Sequence, residues 1–280
     1  MIRRGIGVQS FVSAGVSTDA DAQAFITAAG ITDATQQSAI NTLVTDLKGY
    51  GIWSKMKAIY PFVGGTSSTH KWNLKDPRDL DAAFRLVFAG GMTHSSNGVL
   101  FGGVNGYADS FLNTSTQTTF NNLHLSFYNR VDTATSFKTE MGCIDNSTTF
   151  LPLVTLAIKR TEASVTNRFV TCTYSFNSPD VINVNNTDAK GFYLTSRTAS
   201  NSYKGFKNGV QQGSTVTTNS QTTAPNRTIY IGAVNSAGTT SAYIDRQCAF
   251  ASIGDGLTDT EAANLYTRVQ AFQTALSRQV

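Results

Sequence analysis

Hydrophobic positions change their period along this chain, and the change marks two regions. From Asp19 to Ala29 the apolar residues recur at helical spacing until Gly30 stops them. Asp33 with Gln36 then opens a longer helix, in which Ile40, Leu43, Val44 and Leu47 form one stripe before Gly49 and Gly51 end it. A third, short helical turn is predicted over 52–60, running into Pro61, with Trp53, Met56 and Ile59/Tyr60 on its core side. Ahead of these helices, residues 1–16 carry no clear period and read as an extended arm that docks on the body or on a partner chain.

From about residue 60 the pattern becomes strand after strand. Phe84–Phe88, Leu123–Tyr128, Leu153–Ile158, Phe169–Tyr174 and Gly191–Thr195 are apolar runs separated by Asn-, Ser-, Asp- or Gly-rich turns. In Ser202–Val210, Asn208-Gly209 is the dipeptide that a two-residue hairpin turn needs, since both positions want positive φ. Thr228–Ala233 and Cys248–Gly254 are two further strands, the second with a small-residue face on which a helix can lie. That helix follows at once. Thr258 and Glu261 have the spacing of a capping box, and Ala262, Leu265, Tyr266, Val269, Phe272 and Leu276 form its buried stripe. The expected fold is mainly β: an antiparallel jelly-roll sandwich with a small N-terminal helical segment and a C-terminal helix. The expected divisions are 1–16 (arm), 17–60 (helical segment) and 61–280 (sandwich).

Composition sharpens this picture. At 280 residues and 40% hydrophobic content the chain can bury a full core as one large domain. Only 14% of residues are charged, and roughly three in ten are Ser, Thr or Asn, so the surface is polar through hydroxyls and amides. The net charge of +4 comes from scattered cations, with no basic run interleaved with aromatics, so no nucleic-acid partner is expected. No apolar run reaches 18 residues, so no membrane span is expected. Cys143, Cys172 and Cys248 are odd in number and far apart, and read as small hydrophobes in strands.

Candidate chemistry is sparse. Glycanases on such sandwiches use paired carboxylates on one strand; this chain has three glutamates, Glu140, Glu162 and Glu261, no two of them so paired, and Glu261 is absorbed by the cap. No enzyme activity is expected. Asp76, Asp79 and Asp81 cluster beside Arg78 and His70; hard oxygen ligands of this kind suit Ca2+, while a polar turn with local Asp–Arg bonds explains the same residues, so no cofactor beyond that Ca2+ candidate is expected. His70, His94 and His124 lack metal-ligand spacing.

Two resemblances extend the reading. Phe206-Lys207-Asn208-Gly209, Ile229-Tyr230-Ile231-Gly232, the run from Ile253 to Glu261 and Leu265-Tyr266 occur in the order seen in laminin-G and concanavalin A-like lectin sandwiches, which the chain resembles over about 85–280. The run 56–66, with 70–79, Asn105–Asp109 and Val269–Gln273, is similar to a segment recurrent in bacteriophage virion proteins that carry such sandwiches. The resemblance implies a non-enzymatic virion structural protein (tail, head-fibre or capsid decoration), oligomeric and in contact with other virion proteins. It implies an arm anchored through Ile2, Arg3, Arg4 and Phe11, and a sandwich that meets a host-surface glycan. Trp72 and Tyr107 would stack on sugar rings, and His94, Asn97 and Asp109 would bond hydroxyls. Whether the loops 70–79, 92–109 and 235–243 form an open polar groove with an exposed aromatic, or are buried against neighbouring copies, separates the adhesin role from pure decoration. A free-standing carbohydrate-binding adhesin and a glycan hydrolase on the same fold are the alternatives.

Overall fold

The computed structural model describes residues 18–280 except 135, 163, 174–179 and 219–222. The arm 1–16 and its anchoring residues Ile2, Arg3, Arg4 and Phe11 lie outside the described residues. In chain order the elements begin with α1 (Ala20–Ala29), α2 (Ala34–Gly49), β1 (Met56–Tyr60) and α3 (Ser67–His70). Next come β2 (Val87–Ala89), β3 (Met92–Ser95), β4 (Gly98–Phe101), β5 (Tyr107–Asn113), α4 (Thr114–Gln117), β6 (Leu123–Asn129) and β7 (Met141–Ile144). The chain continues through β8 (Leu153–Glu162), β9 (Val165–Cys172), β10 (Val181–Asn185), β11 (Gly191–Ala199), β12 (Ser202–Lys207) and β13 (Val210–Val216). It closes with β14 (Thr228–Ile231), β15 (Val234–Ser236), β16 (Thr239–Ser241), β17 (Gln247–Gly254) and α5 (Asp259–Ala275).

These strands build two sheets. The first runs β13-β12-β11-β6-β17-β4-β3, with β1 also paired to β17; the second runs β10-β9-β8-β7-β14-β5-β2, with the β15–β16 hairpin attached to β7. Apart from the parallel β15·β7 pair, the strand pairings are antiparallel. Alternation along each strand divides the apolar residues between two cores. Phe127, Tyr193, Ala251 and Ile253 of the first sheet meet Leu156, Ile158, Ile229 and Ile231 of the second, which makes a β-sandwich. On its other face the first sheet turns Phe192, Leu194 and Phe250 toward Phe25 of α1, the α2 stripe, and Leu265, Val269 and Phe272 of α5. The layers are therefore helices, first sheet, second sheet.

The N-caps of α2 and α5 and the Gly30 stop are the ones read from the sequence, whereas Asp19, read there as helical, is the N-cap of α1. Asp19 and Asp33 accept from the amides of Asp21 and Gln36, Gly30 takes φ 65°, and Thr258 and Glu261 form the reciprocal capping box. The hairpin turn has Asn208 and Gly209 at φ 49° and 75°.

Two elements differ from expectation. The predicted helical turn over 52–60 is a single 3-10 turn, Trp53–Lys55, followed by strand β1. Met56 and Ile59 face the helices while Ala58 and Tyr60 face the inner core, and a bulge between Met56 and Ala58 gives this two-faced strand a spacing that imitates a helix. The helical segment thus stops short of 60, and its last five residues belong to the sheet. The strand expected at Phe84–Phe88 starts only at Val87, because Phe84 sits at φ 60° and ends a 3-10 turn, with its carbonyl accepting from the Tyr60 hydroxyl at 2.6 Å.

Candidate functional site

With helices over the first sheet, the outer face of the second is where side chains reach outward. Residues opposed across its strands share a face, and the register aligns Val87, Asp109, Tyr230, Gly142, Thr155, Cys172 and Val181 in one row. Cys143 and Leu156, one position along β7 and β8, point inward, which fixes this row as the outer face. Ile144, Leu153, Cys172 and Val234 form a small apolar cluster there.

Beside that cluster opens a cavity of about 250 Å3 lined by Ile144, Val234, Thr139, Thr155, Ser236, Ser241, Arg160, Phe137 and Phe150. Phe137 and Phe150 are 62% and 48% exposed, an unusual state for phenylalanine. Both are fixed by local structure. The buried Arg160 guanidinium lies 4.2 Å from the Phe137 ring centroid, and its Nη1 donates to Thr139 Oγ1 at 3.4 Å. Phe150 closes a turn in which Asn146 Oδ1 accepts from the amides of Thr148 and Thr149, at 2.8 and 2.9 Å, and the Asn146 carbonyl accepts from the Phe150 amide at 2.8 Å. A larger hollow of about 440 Å3 lies between α2 and α5, but its walls are mostly small residues and its one aromatic, Phe272, is buried.

The sequence-derived candidates fall in three places. Tyr107 and Asp109 share the outer face of β5 with the cavity side of the sheet. Tyr107 is half-buried and stacks on Tyr230 with centroids 4.6 Å apart and planes at 25°. Asp109 accepts from the Phe111 amide at 2.8 Å, and burial pushes its carboxyl above the usual range. His94 and Asn97 belong to the edge hairpin β3–β4. The His94 ring meets the edge of Phe88, and its Nδ1 is 2.9 Å from Nδ1 of the buried His70. Burial, with His94 and Arg278 adding repulsion, lowers His70 to about 3; burial lowers His94 as well. Asn97 is exposed in the turn, its amide donating to Ser95 Oγ at 3.2 Å. Trp72 packs at the border of the helical layer, with Lys71 Nζ 4.8 Å from its ring. Tyr107 and Trp72 therefore belong to different layers.

Asp76, Asp79 and Asp81 are all ion-paired, and Arg85 bridges the last two, 3.4 Å from Asp79. Arg78 holds Asp76 at 2.5 Å, Lys71 holds Asp79 at 2.5 Å, and Arg85 holds Asp81 at 2.7 Å, and the first two pairs draw their carboxylates below the usual range. Among the described residues no three His, Cys, Asp or Glu side chains converge as a metal site would require. Glu140 is wholly buried, paired with Arg246 and accepting from the Ile158 amide at 2.7 Å. Glu261 bonds Lys55 at 2.6 Å besides its capping role.

Of the loops 70–79, 92–109 and 235–243, the last supplies Ser236 and Ser241 to the cavity. Phe137 and Phe150 were absent from the sequence-derived set. Their signal is a lone aromatic inside a hydroxyl-rich loop, Ser136-Phe137-Lys138-Thr139 and Ser147-Thr148-Thr149-Phe150. No helix among the described residues is long and apolar enough to cross a membrane.

No family model and no curated protein sequence matches this chain. Solved structures do match it in fold. Domain 4 of AbnA, a GH43 extracellular arabinanase from Geobacillus stearothermophilus solved in complex with arabinotriose, is 14% identical with a TM-score of 0.50, over 75% of this chain and 98% of that one. A structure of botulinum neurotoxin type C, whose cell entry is described as dependent on interaction with two ganglioside molecules, is 11% identical with a TM-score of 0.54, over 79% of this chain and 53% of the toxin chain. At such identities the shared property is the β-sandwich fold.

Proposed function

We propose that this chain is a non-enzymatic, glycan-binding β-sandwich displayed on a bacteriophage virion as a tail, head-fibre or capsid-decoration component, in which it assembles as a homo-oligomer with other virion proteins. The observation that carries the binding part is the pair of exposed rings, Phe137 and Phe150, around a hydroxyl-lined cavity on the outer face of the second sheet. Aromatic rings with a few fixed polar groups suit a sugar, whose C–H face stacks on a ring while some of its hydroxyls meet the lining hydroxyls or stay in solvent. Fold neighbours described with arabinotriose and with gangliosides support the same reading. The non-enzymatic part is supported by the carboxylates: Glu140 and Glu261 are committed to internal partners, and Asp81, the acid that acts on Asp109, is paired with Arg85. The virion assignment rests on the sequence resemblance, with 1–16 as the anchoring arm.

A glycan array with the purified protein, run with and without Ca2+, tests the binding part. Binding to at least one glycan class, lost in Phe137→Ala and Phe150→Ala variants that keep the wild-type circular dichroism, is expected. Silence across the array overturns the glycan reading. Binding that survives both substitutions moves the site elsewhere, with Tyr107 and Asp109 the next to test. Presence of the chain in purified virions checks the location and separates a virion component from a free-standing adhesin.

A further inference from the structure

We propose that the cavity beside Phe137 and Phe150 selects a sugar bearing a methyl group, as an acetamido or a 6-deoxy substituent, over sugars that carry only hydroxyls. The inference rests on the glycan-binding reading and concerns which glycan the site prefers. Its basis is the chemistry of the walls. Ile144 and Val234 form an apolar floor and the two phenylalanines an apolar rim. Among the described lining residues there is no carboxylate and no side-chain amide, the groups that accept and donate to a fully hydroxylated ring most effectively. The hydroxyls present are partly engaged: Thr155 Oγ1 lies 3.0 Å from Cys172 Sγ, and Thr139 Oγ1 accepts from Arg160.

A sugar hydroxyl pressed against Ile144 and Val234 loses water and finds no partner, which costs more than the contact returns. A methyl group in the same place buries apolar area and leaves no polar atom stranded. Arg160 acts as a positioning residue in this scheme, holding the Phe137 ring in place with its own guanidinium 4.2 Å from the centroid. The cavity volume, about 250 Å3, suits one substituted ring end rather than a long chain.

The test is titration of the full chain with glycans ending in L-rhamnose, L-fucose, N-acetylglucosamine or N-acetylgalactosamine, against matched glycans ending in glucose, galactose or mannose. Methyl-bearing termini are expected to bind about tenfold tighter or better. The 6-deoxy and acetamido arms tell which substituent enters. Equal or tighter binding of hydroxyl-only termini overturns the inference and leaves glycan binding standing, whereas absence of binding to every glycan removes both. A Ser241→Asp variant gives a second readout at a half-exposed position: a carboxylate on the wall should erase most of the methyl preference, and an unchanged preference would place the selective contact outside this cavity.

Discussion

Glu140 and Arg246 show what a single buried charge costs in this molecule. Both side chains are wholly buried, and each has a backbone partner too: the Ile158 amide for Glu140, and the Lys159 carbonyl, which accepts from Arg246 Nη2 at 2.6 Å. Removing one partner leaves the other charge stranded, so Glu140→Gln is expected to lower unfolding free energy by about 3–5 kcal/mol in urea titration, and replacing both residues together by Leu and Met should cost less. His124 is buried with Nδ1 2.6 Å from the Asp255 carbonyl and Nε2 3.0 Å from Ser252 Oγ. The carbonyl only accepts, so Nδ1 carries the proton and Nε2 accepts from the serine; burial pushes this histidine down to about 4, as it pushes His70 to about 3. Between these values and the unfolded 6.5, the unfolded chain binds more protons. Stability is therefore complete above pH 6.5 and falls as the pH drops, by about 1.4 kcal/mol per pH unit for each histidine. Denaturation curves from pH 7 to pH 4 check this, and His124→Gln should flatten the slope. The sequence identified Glu261 as a cap, because capping is local. It did not identify Phe137 and Phe150, because an aromatic in a loop looks the same whether its surroundings bury it or leave it exposed.

Helices and hairpins carry their own instructions. Thr258→Ala breaks one half of the α5 capping box and is expected to cost about 1 kcal/mol, read as a lower Tm. At the hairpin turn, Gly209 has φ 75° and a Cβ there would stand 2.9 Å from Tyr266 Cδ1 on α5, so Gly209→Ala should cost about 1–2 kcal/mol from backbone strain, with the contact to α5 adding to it. The helices α1, α2 and α5 were legible for the same reason that these substitutions have defined costs: period, cap and stop signal lie within one segment. Strand β1 was not, since its bulge shifts a period of two toward helical spacing and only its partner β17 reveals the ladder. Strand β2 was read too long because Phe84 is drawn into a left-handed turn by Tyr60, a residue 24 positions away.

Among the described residues α1, α2 and α5 and the two sheets share continuous cores. If the chain is the virion component proposed above, removing 1–16 is expected to leave a folded, soluble protein that no longer joins its particle; unimpaired incorporation would show that the arm is not the anchor. By itself the sequence determined the mainly β class, the N-caps of α2 and α5, the Asn208-Gly209 turn and the buried stripe of α5, all of which depend on neighbours a few residues apart. Only tertiary structure decided that α1 and α2 share a core with α5, so that helices cover the outer face of the first sheet. It also separated Trp72 from Tyr107 and brought Phe137 and Phe150 to one cavity with Val234. The physical reason is the same in each case: which face of a strand or loop meets solvent depends on elements tens of residues distant, whose pairing no local pattern encodes.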